Sequence, residues 1–461
     1  DLAYFSGLLG SAQLDQNSIA SSRELLNRFV SFYSNASYTY DDKYVLSGSI
    51  RWDRSNLWGT NSKYQNKPLW SVGGSWNIYK EKFFQADFVD MLKLRASYGI
   101  GGNIGRNTAP YLIASYYDSS LVDGMAGSVN TPPNKDIRWE KTTTVNVGVD
   151  FALFRHRLSG TIEYYNKYSV DLLAAINGSP TQGFGYTTLM TNNGKMVNRG
   201  VEITLSGEII RQKDFSWNAS LLYAFNRNKV KHISVQPSLW DSRISMPTSY
   251  PMVGKPLYGI YAYKWAGLNE NGDPQVYDAE NNVTSGPARD YHALVYCGTT
   301  VPIHNASLTN VLRYKGFEFS AMLILDAGHK LRSSNIPSIN MSNGRITSTA
   351  KGIVDRWTQP GDVTDVPRLL FSNDTENFNT HRTELYRYSD LFVYDASNIR
   401  LSNISLAYRV PAHWCKKISL SGARLQFNVE NVATFAFDSK ANYDLGGKVK
   451  PNYVWGLYLN F

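Results

Sequence analysis

The chain has 461 residues with 47 basic and 38 acidic side chains, a net charge of +9, and two cysteines, so it holds two or three ordinary domains or one large closed sheet. The basic residues are scattered, which speaks against nucleic-acid binding, and the distant Cys297 and Cys415 exclude a cysteine-built zinc site and a disulfide framework. Hydrophobic residues are an ordinary 43%, but 31 Tyr, 20 Phe and 11 Trp bring aromatics to 13%, a bias shared by membrane interfaces, carbohydrate surfaces and β-sheets.

No apolar run approaches the ~18 residues of a membrane-spanning helix; residues 321–325 are typical of the longest. A barrel strand needs only ~9–11 residues, every second one apolar. The chain opens at Asp1 without an initiator Met or signal peptide, and reads as a mature fragment or one part of a cleaved protein. Residues 1–22 read as a surface loop leading out of an earlier strand, with one short helical stretch expected around residues 23–26.

From Tyr44 the alternation begins. Tyr44, Leu46, Gly48, Ile50 and Trp52 share one face; Val45, Ser47, Ser49, Arg51 and Asp53 share the other. Next come Val145, Val147, Val149 and Phe151 against Thr144, Asn146, Gly148 and Asp150. Leu158, Gly160, Ile162 and Tyr164 then oppose Ser159, Thr161, Glu163 and Tyr165. Val201 to Ile209, Phe215 to Phe225, and Ala423 to Val429 repeat the pattern, with Glu202, Asn218 and Gln426 among the opposed residues. Short polar connections at Asp41-Asp42-Lys43, Arg155-His156 and residues 211–214 alternate with long segments rich in Gly, Pro, Asn and Ser. These long segments cover residues 101–138, 171–198, 232–254, 268–301 and 333–384. Short on one side and long on the other is the habit of transmembrane barrels, and this spacing predicts roughly 14 strands, give or take about two. A soluble sandwich alternates too, but its strands run ~5–6 residues. Here they run roughly 10–13 and carry aromatics near their ends, as barrel girdles do.

The end is the strongest signal. Tyr453, Trp455, Leu457, Leu459 and Phe461 alternate with Val454, Gly456, Tyr458 and Asn460, and Phe461 is the last residue. A terminal aromatic on an amphipathic strand resembles the signal that barrel-assembly machinery recognises in bacterial outer-membrane proteins.

Several stretches go further. Residues 42–51 (DKYVLSGSIR) and 92–99 (LKLRASYG), the Asn198-Arg199-Gly200-Val201-Glu202 hairpin leading into Asp214–Asn218, residues 267–274 (GLNENGDP), residues 313–318 (RYKGFE), residues 395–404 (DASNIRLSNI) and Glu430-Asn431-Val432 occur in an order that resembles the SusC/RagA family of TonB-dependent outer-membrane transporters. The resemblance covers nearly the whole chain, from about residue 41 to residue 461. It implies an all-β fold, an antiparallel transmembrane barrel of 22 strands of which this chain, residues 1–461, supplies the C-terminal ~14. It further implies a plug domain and TonB box in a separate N-terminal fragment with the remaining strands, coupling to the TonB complex through that fragment, a SusD-like surface lipoprotein as lid, outer-membrane lipid around the wall, and import of an oligosaccharide or peptide.

Motifs for catalysis or cofactors are weak. The glycines from Gly99 to Gly105 miss the dinucleotide spacing and read as a strand entering a loop. Asn269, Asn271 and Asp273 have calcium-loop spacing but read first as an Asn-Gly-Asp-Pro turn, with calcium in this surface loop as the minor alternative, so no cofactor is expected. No His-Glu-x-x-His or Gly-x-Ser-x-Gly occurs, and no catalytic residue is assigned. Loop aromatics Trp58, Tyr64, Tyr116, Tyr117, Phe184, Tyr186 and Trp240 are candidates for lining a substrate path. Arg51, Asp53, Arg95, Glu163 and Glu202 read as salt bridges of a wet wall. A passive porin of ~14 strands, an outer-membrane hydrolase and a secreted sugar-binding β-protein stay open as alternatives at this point.

Overall fold

The computed structural model describes residues 28–57, 59, 61, 67–105, 110–119, 124–177, 181, 188–237, 241–286, 290–341, 350–371, 380–445 and 450–461. Thirteen strands form one sheet in strict chain order, each antiparallel to the next. They are β1 (Phe29–Tyr40), β2 (Tyr44–Ser55), β3 (Leu69–Asn77), β4 (Val89–Asn103), β5 (Glu140–Leu153), β6 (Leu158–Asn177) and β7 (Thr188–Arg211). β8 (Phe215–His232), β9 (His304–Tyr314), β10 (Phe317–Ala327), β11 (Asn398–Arg409), β12 (Gly422–Ala436) and β13 (Asn452–Asn460) follow. The described strands number thirteen, within the range expected from the sequence, and β1 and β13 do not pair with each other.

Register explains why the sheet has two chemically distinct faces. Directly opposed residues point to the same side, and one row runs Leu46–Gly74–Ala96–Val147–Tyr164–Val201–Phe225–His304 across eight strands. At the far edge Leu425 opposes Leu457 and Phe427 opposes Trp455. A one-residue slip in any strand would carry its apolar set to the other face, so the alternation itself pins the pairing. Inside the sheet Gly200 is required by packing. A Cβ there would lie 2.4 Å from the Tyr165 hydroxyl and 2.5 Å from the Phe225 carbonyl oxygen, so the Tyr165 ring can lie over this position only while it is bare.

All tight turns lie on one rim. Asp41 and Asp42 adopt left-handed backbone, as short polar side chains tolerate, between β1 and β2. Phe154 to His156 close β5–β6, residues 212–214 close β7–β8, and Lys315-Gly316 closes β9–β10. The opposite rim carries every long excursion, which orients the tight-turn rim to the periplasm and the other to the exterior.

Two sequence expectations need correction. The segment 171–198 was expected as one long loop, but β6 and β7 continue to Asn177 and back from Thr188, making strands of 20 and 24 residues. A bulge at Leu172, next to the left-handed Asp171, carries the pairing on after the alternation has stopped, which hides these extensions from period counting. Segments 232–254 and 268–301 are parts of one excursion between β8 and β9, because residues 255–267 form no strand of the large sheet. Residues 1–27, including the expected loop and helix there, lie outside the described residues.

Candidate functional site

The inward face of the sheet is a wall of paired charges. Arg95 on β4 donates through Nε to Asp150 Oδ2 (2.7 Å) and through Nη2 to Asp150 Oδ1 (2.9 Å) on β5, and also to Glu163 on β6; Thr161 adds a 3.0 Å bond to Asp150. Arg51 bonds Asp53 at 2.7 Å two places along β2. Arg313 and Arg424 share Glu318, at 2.7 and 3.0 Å. A bidentate arginine on a carboxylate fixes both side chains, so these rungs stiffen the wall and leave it wettable. Of the five wall charges read from the sequence, four are in ion pairs; Glu202 has no basic partner within 4 Å among the described residues. Glu202 instead lines a groove with Asn305, Ser307 and Asp326 on the same face.

Above this wall the two longest excursions fold together. Gly259–Tyr263, buried at all five positions, pairs with Leu294–Thr299. Tyr261, Tyr263, Val276 and Leu294 from the β8–β9 excursion pack against Leu385 from the β10–β11 excursion, on the short helix Thr380–Arg387. Backbone crosses too: Tyr263 N donates to Tyr388 O at 2.9 Å.

Three buried or half-buried arginines tie the halves. Arg332 donates to the carbonyls of Tyr261 (2.6 Å), Arg387 (3.1 Å) and Ser389 (3.2 Å). Arg382, 3% exposed, donates to Asp273 (2.6 Å), Asn340 (2.6 Å) and the Arg368 carbonyl (2.7 Å), while Arg368 holds Asp273 at 3.0 and 2.9 Å. Burial pushes the Tyr263 and Tyr386 hydroxyls well above the usual phenol range and raises the Cys297 thiol to about 11, leaving it protonated at neutral pH.

The Asn269-Asn271-Asp273 group is the turn expected of it. Asn269 Oδ1 accepts the amides of Asn271 (3.0 Å) and Asp273 (2.8 Å), and the Asp273 carboxylate faces the two arginines. Of the candidate substrate aromatics, Tyr116 and Tyr117 stand on a hairpin of Ile113–Ser119 and Gly124–Thr131, 73% and 52% exposed. As strand neighbours they point to opposite faces, so they do not form one stacking platform. Trp58, Tyr64, Phe184, Tyr186 and Trp240 lie outside the described residues. Tyr453, Trp455, Leu457 and Leu459 lie together on the outward face of β13, with Trp455 against Phe427 at 4.3 Å, and Phe461 follows, 92% exposed. Sequence reasoning missed the composite lobe. The one signal for it was the run Ile260–Tyr263, apolar without alternation as a strand buried on both faces is.

No helix among the described residues is long and apolar enough to cross a membrane, which says nothing of crossing by strands. The family profile "TonB dependent receptor-like, beta-barrel" matches residues 4–432. The chain belongs to this family.

It is 26% identical to TonB-dependent receptor P3 of Formosa agariphila, over 97% of this chain and 45% of that protein. It is 25% identical to TonB-dependent receptor SusC of Bacteroides thetaiotaomicron, over 88% of this chain and 40% of that protein. Among solved structures, that of the RagAB peptide transporter superposes with a TM-score of 0.76 at 23% identity, covering 98% of this chain and 50% of that one, a likeness of fold. The chain thus spans about half the length of the relatives it matches. Family membership places this TonB-dependent-receptor barrel in the outer membrane.

Proposed function

We propose that residues 1–461 are the C-terminal part of the barrel of a TonB-energised importer of oligosaccharides or peptides, closed from outside by a SusD-like lipoprotein. The observation that carries this reading is the pairing of a stiff, charged inward wall with a folded extracellular lobe built from two excursions. A passive pore needs only short or inward-folded loops, whereas a lobe with its own core offers a partner a fixed surface.

The two open sheet edges bear on the rest of the assembly. Unpaired backbone facing lipid costs several kcal/mol per group, and thirteen strands in up-and-down order would bring β1 and β13 together parallel if they closed alone. Strands from outside the described residues are therefore part of the proposal, with the plug and the TonB contact on the segment that carries them. Purification of the native assembly from outer membranes, with mass spectrometry of its subunits and bound ligand, tests it. A co-purifying surface lipoprotein and a carried glycan or peptide are expected; free ion conductance by this chain alone as a monodisperse barrel would favour the porin.

A further inference from the structure

The outward face of β8 reads Phe215, Trp217, Ala219, Leu221, Tyr223, Phe225, and then Arg227 and Lys229. The register sets Arg227 directly opposite Arg199 on β7, and Lys229 opposite Val197. Phe225 opposes Val201 below them, and Tyr223 bonds His304 at 2.8 Å beside it. Apolar side chains therefore give way to an aromatic belt and then, within two residues or about 7 Å along the strand, to cations. This end of β8 is the one that leads into the long excursion, so the cations stand at the exterior boundary of the bilayer.

Arg199, Arg227 and Lys229 are exposed, and no carboxylate lies within 4 Å of them among the described residues. Like charges directly across a strand pair are destabilising, and here two guanidinium groups are held in that relation. Arg199 uses Nε on Asn166 Oδ1 at 3.1 Å, which fixes its fork and leaves its terminal nitrogens for an acceptor from outside. The inward wall treats its arginines differently, with a carboxylate for each of Arg51, Arg95, Arg313 and Arg424.

We infer that Arg199, Arg227 and Lys229 form a docking site for the phosphate groups of outer-leaflet glycolipid, the lipid A portion of lipopolysaccharide. Three observations converge on that occupant. The depth is that of the exterior headgroup layer, the register sets two arginines side by side on one face as a shared phosphate requires, and the belt of Tyr164, Tyr223 and Phe225 just below offers an apolar bed to the acyl chains. An anion bridging Arg199 and Arg227 turns their repulsion into a link between β7 and β8. The inference does not depend on what the barrel transports.

The test uses the full transporter with its native partners in phosphatidylcholine nanodiscs, with or without added lipid A, read by native mass spectrometry of retained lipid. The parent protein should retain lipid A over phosphatidylcholine and lose that preference when the lipid A is enzymatically dephosphorylated. The triple variant R199Q/R227Q/K229Q should retain about tenfold less lipid A, the scale of losing a few charge-assisted contacts. Should the triple variant fold poorly, R227Q alone, which relieves the like-charge opposition, should still lower retention about threefold. Equal retention by parent and variants, equal retention of dephosphorylated lipid A, or loss of a protein subunit with lipid A binding intact would each overturn the assignment.

Discussion

Arg382 shows how a single side chain can hold a surface structure together. It is buried, its charge is met by Asp273, and its other nitrogens satisfy Asn340 and the Arg368 carbonyl. Removing one partner of such a pair strands the other, so Arg382→Ala should loosen the lobe by about 3–5 kcal/mol. Limited proteolysis should then cut within residues 259–299 while heat-modifiable migration of the barrel on gels is unchanged; a lobe as resistant as the parent's would contradict this. A second residue gives a pH signature. The backbone amide and hydroxyl of Thr358 and the amide of Gln359 all bond the Asp362 carboxylate and hold it below the usual aspartate range. A lowered folded-state value means the turn's added stability is present above the ordinary aspartate value, about 3.9. It is lost as pH falls through the lowered one, so hydrogen exchange at Thr358 and Gln359 should stay protected at pH 5 and lose protection only below about pH 4. At this scale the sequence is partly legible. Arg95 and Glu163 announce themselves as wall charges by alternation, but that Asp150 joins Glu163 on Arg95 follows from register. Arg332 and Arg382 carry no such mark, because what buries them comes from a different excursion.

Strands are where the sequence speaks most clearly. The two-residue period of β2, β5, β6 and β12 assigns each side chain to lipid or lumen, and the register agrees strand by strand. It fails where β6 and β7 leave the membrane, since beyond the bilayer no solvent contrast enforces alternation. Arginine substitutions on β12 measure that contrast. Leu425→Arg and Phe427→Arg place a cation in hydrocarbon and should cost about 2–4 kcal/mol near the midplane, whereas Gln426→Arg joins a face already holding Arg424 and Asn428. Folding titrations into lipid vesicles should show loss, loss and little change; three equal losses would contradict the two-faced wall.

For the whole molecule, assembly and closure are the open quantities. Phe461 follows the outward row of β13, and its carbonyl accepts the Ser421 hydroxyl at 3.2 Å, which ties this residue to the β11–β12 connection. Deleting Phe461, or replacing it with Asp, should block assembly while synthesis continues. The direct cost of a carboxylate near the interface is only up to about 1 kcal/mol, so a large defect would point to recognition of the Phe461 ring; normal heat-modifiable migration of the variant would dismiss that role.

The composite lobe has a consequence for how such a protein can diverge. Loops on a barrel are ordinarily exchanged one at a time, each hairpin a self-contained unit of inheritance. Here Tyr261 and Tyr263 come from one excursion and Leu385, Arg332 and Arg382 from another, with β9 and β10 between them. A recombination breakpoint anywhere in residues 304–327 would join two halves that never shared a core. Descendants that altered this lobe successfully are therefore expected to have inherited both excursions from the same ancestor, so residues 233–397 should travel between lineages as one block.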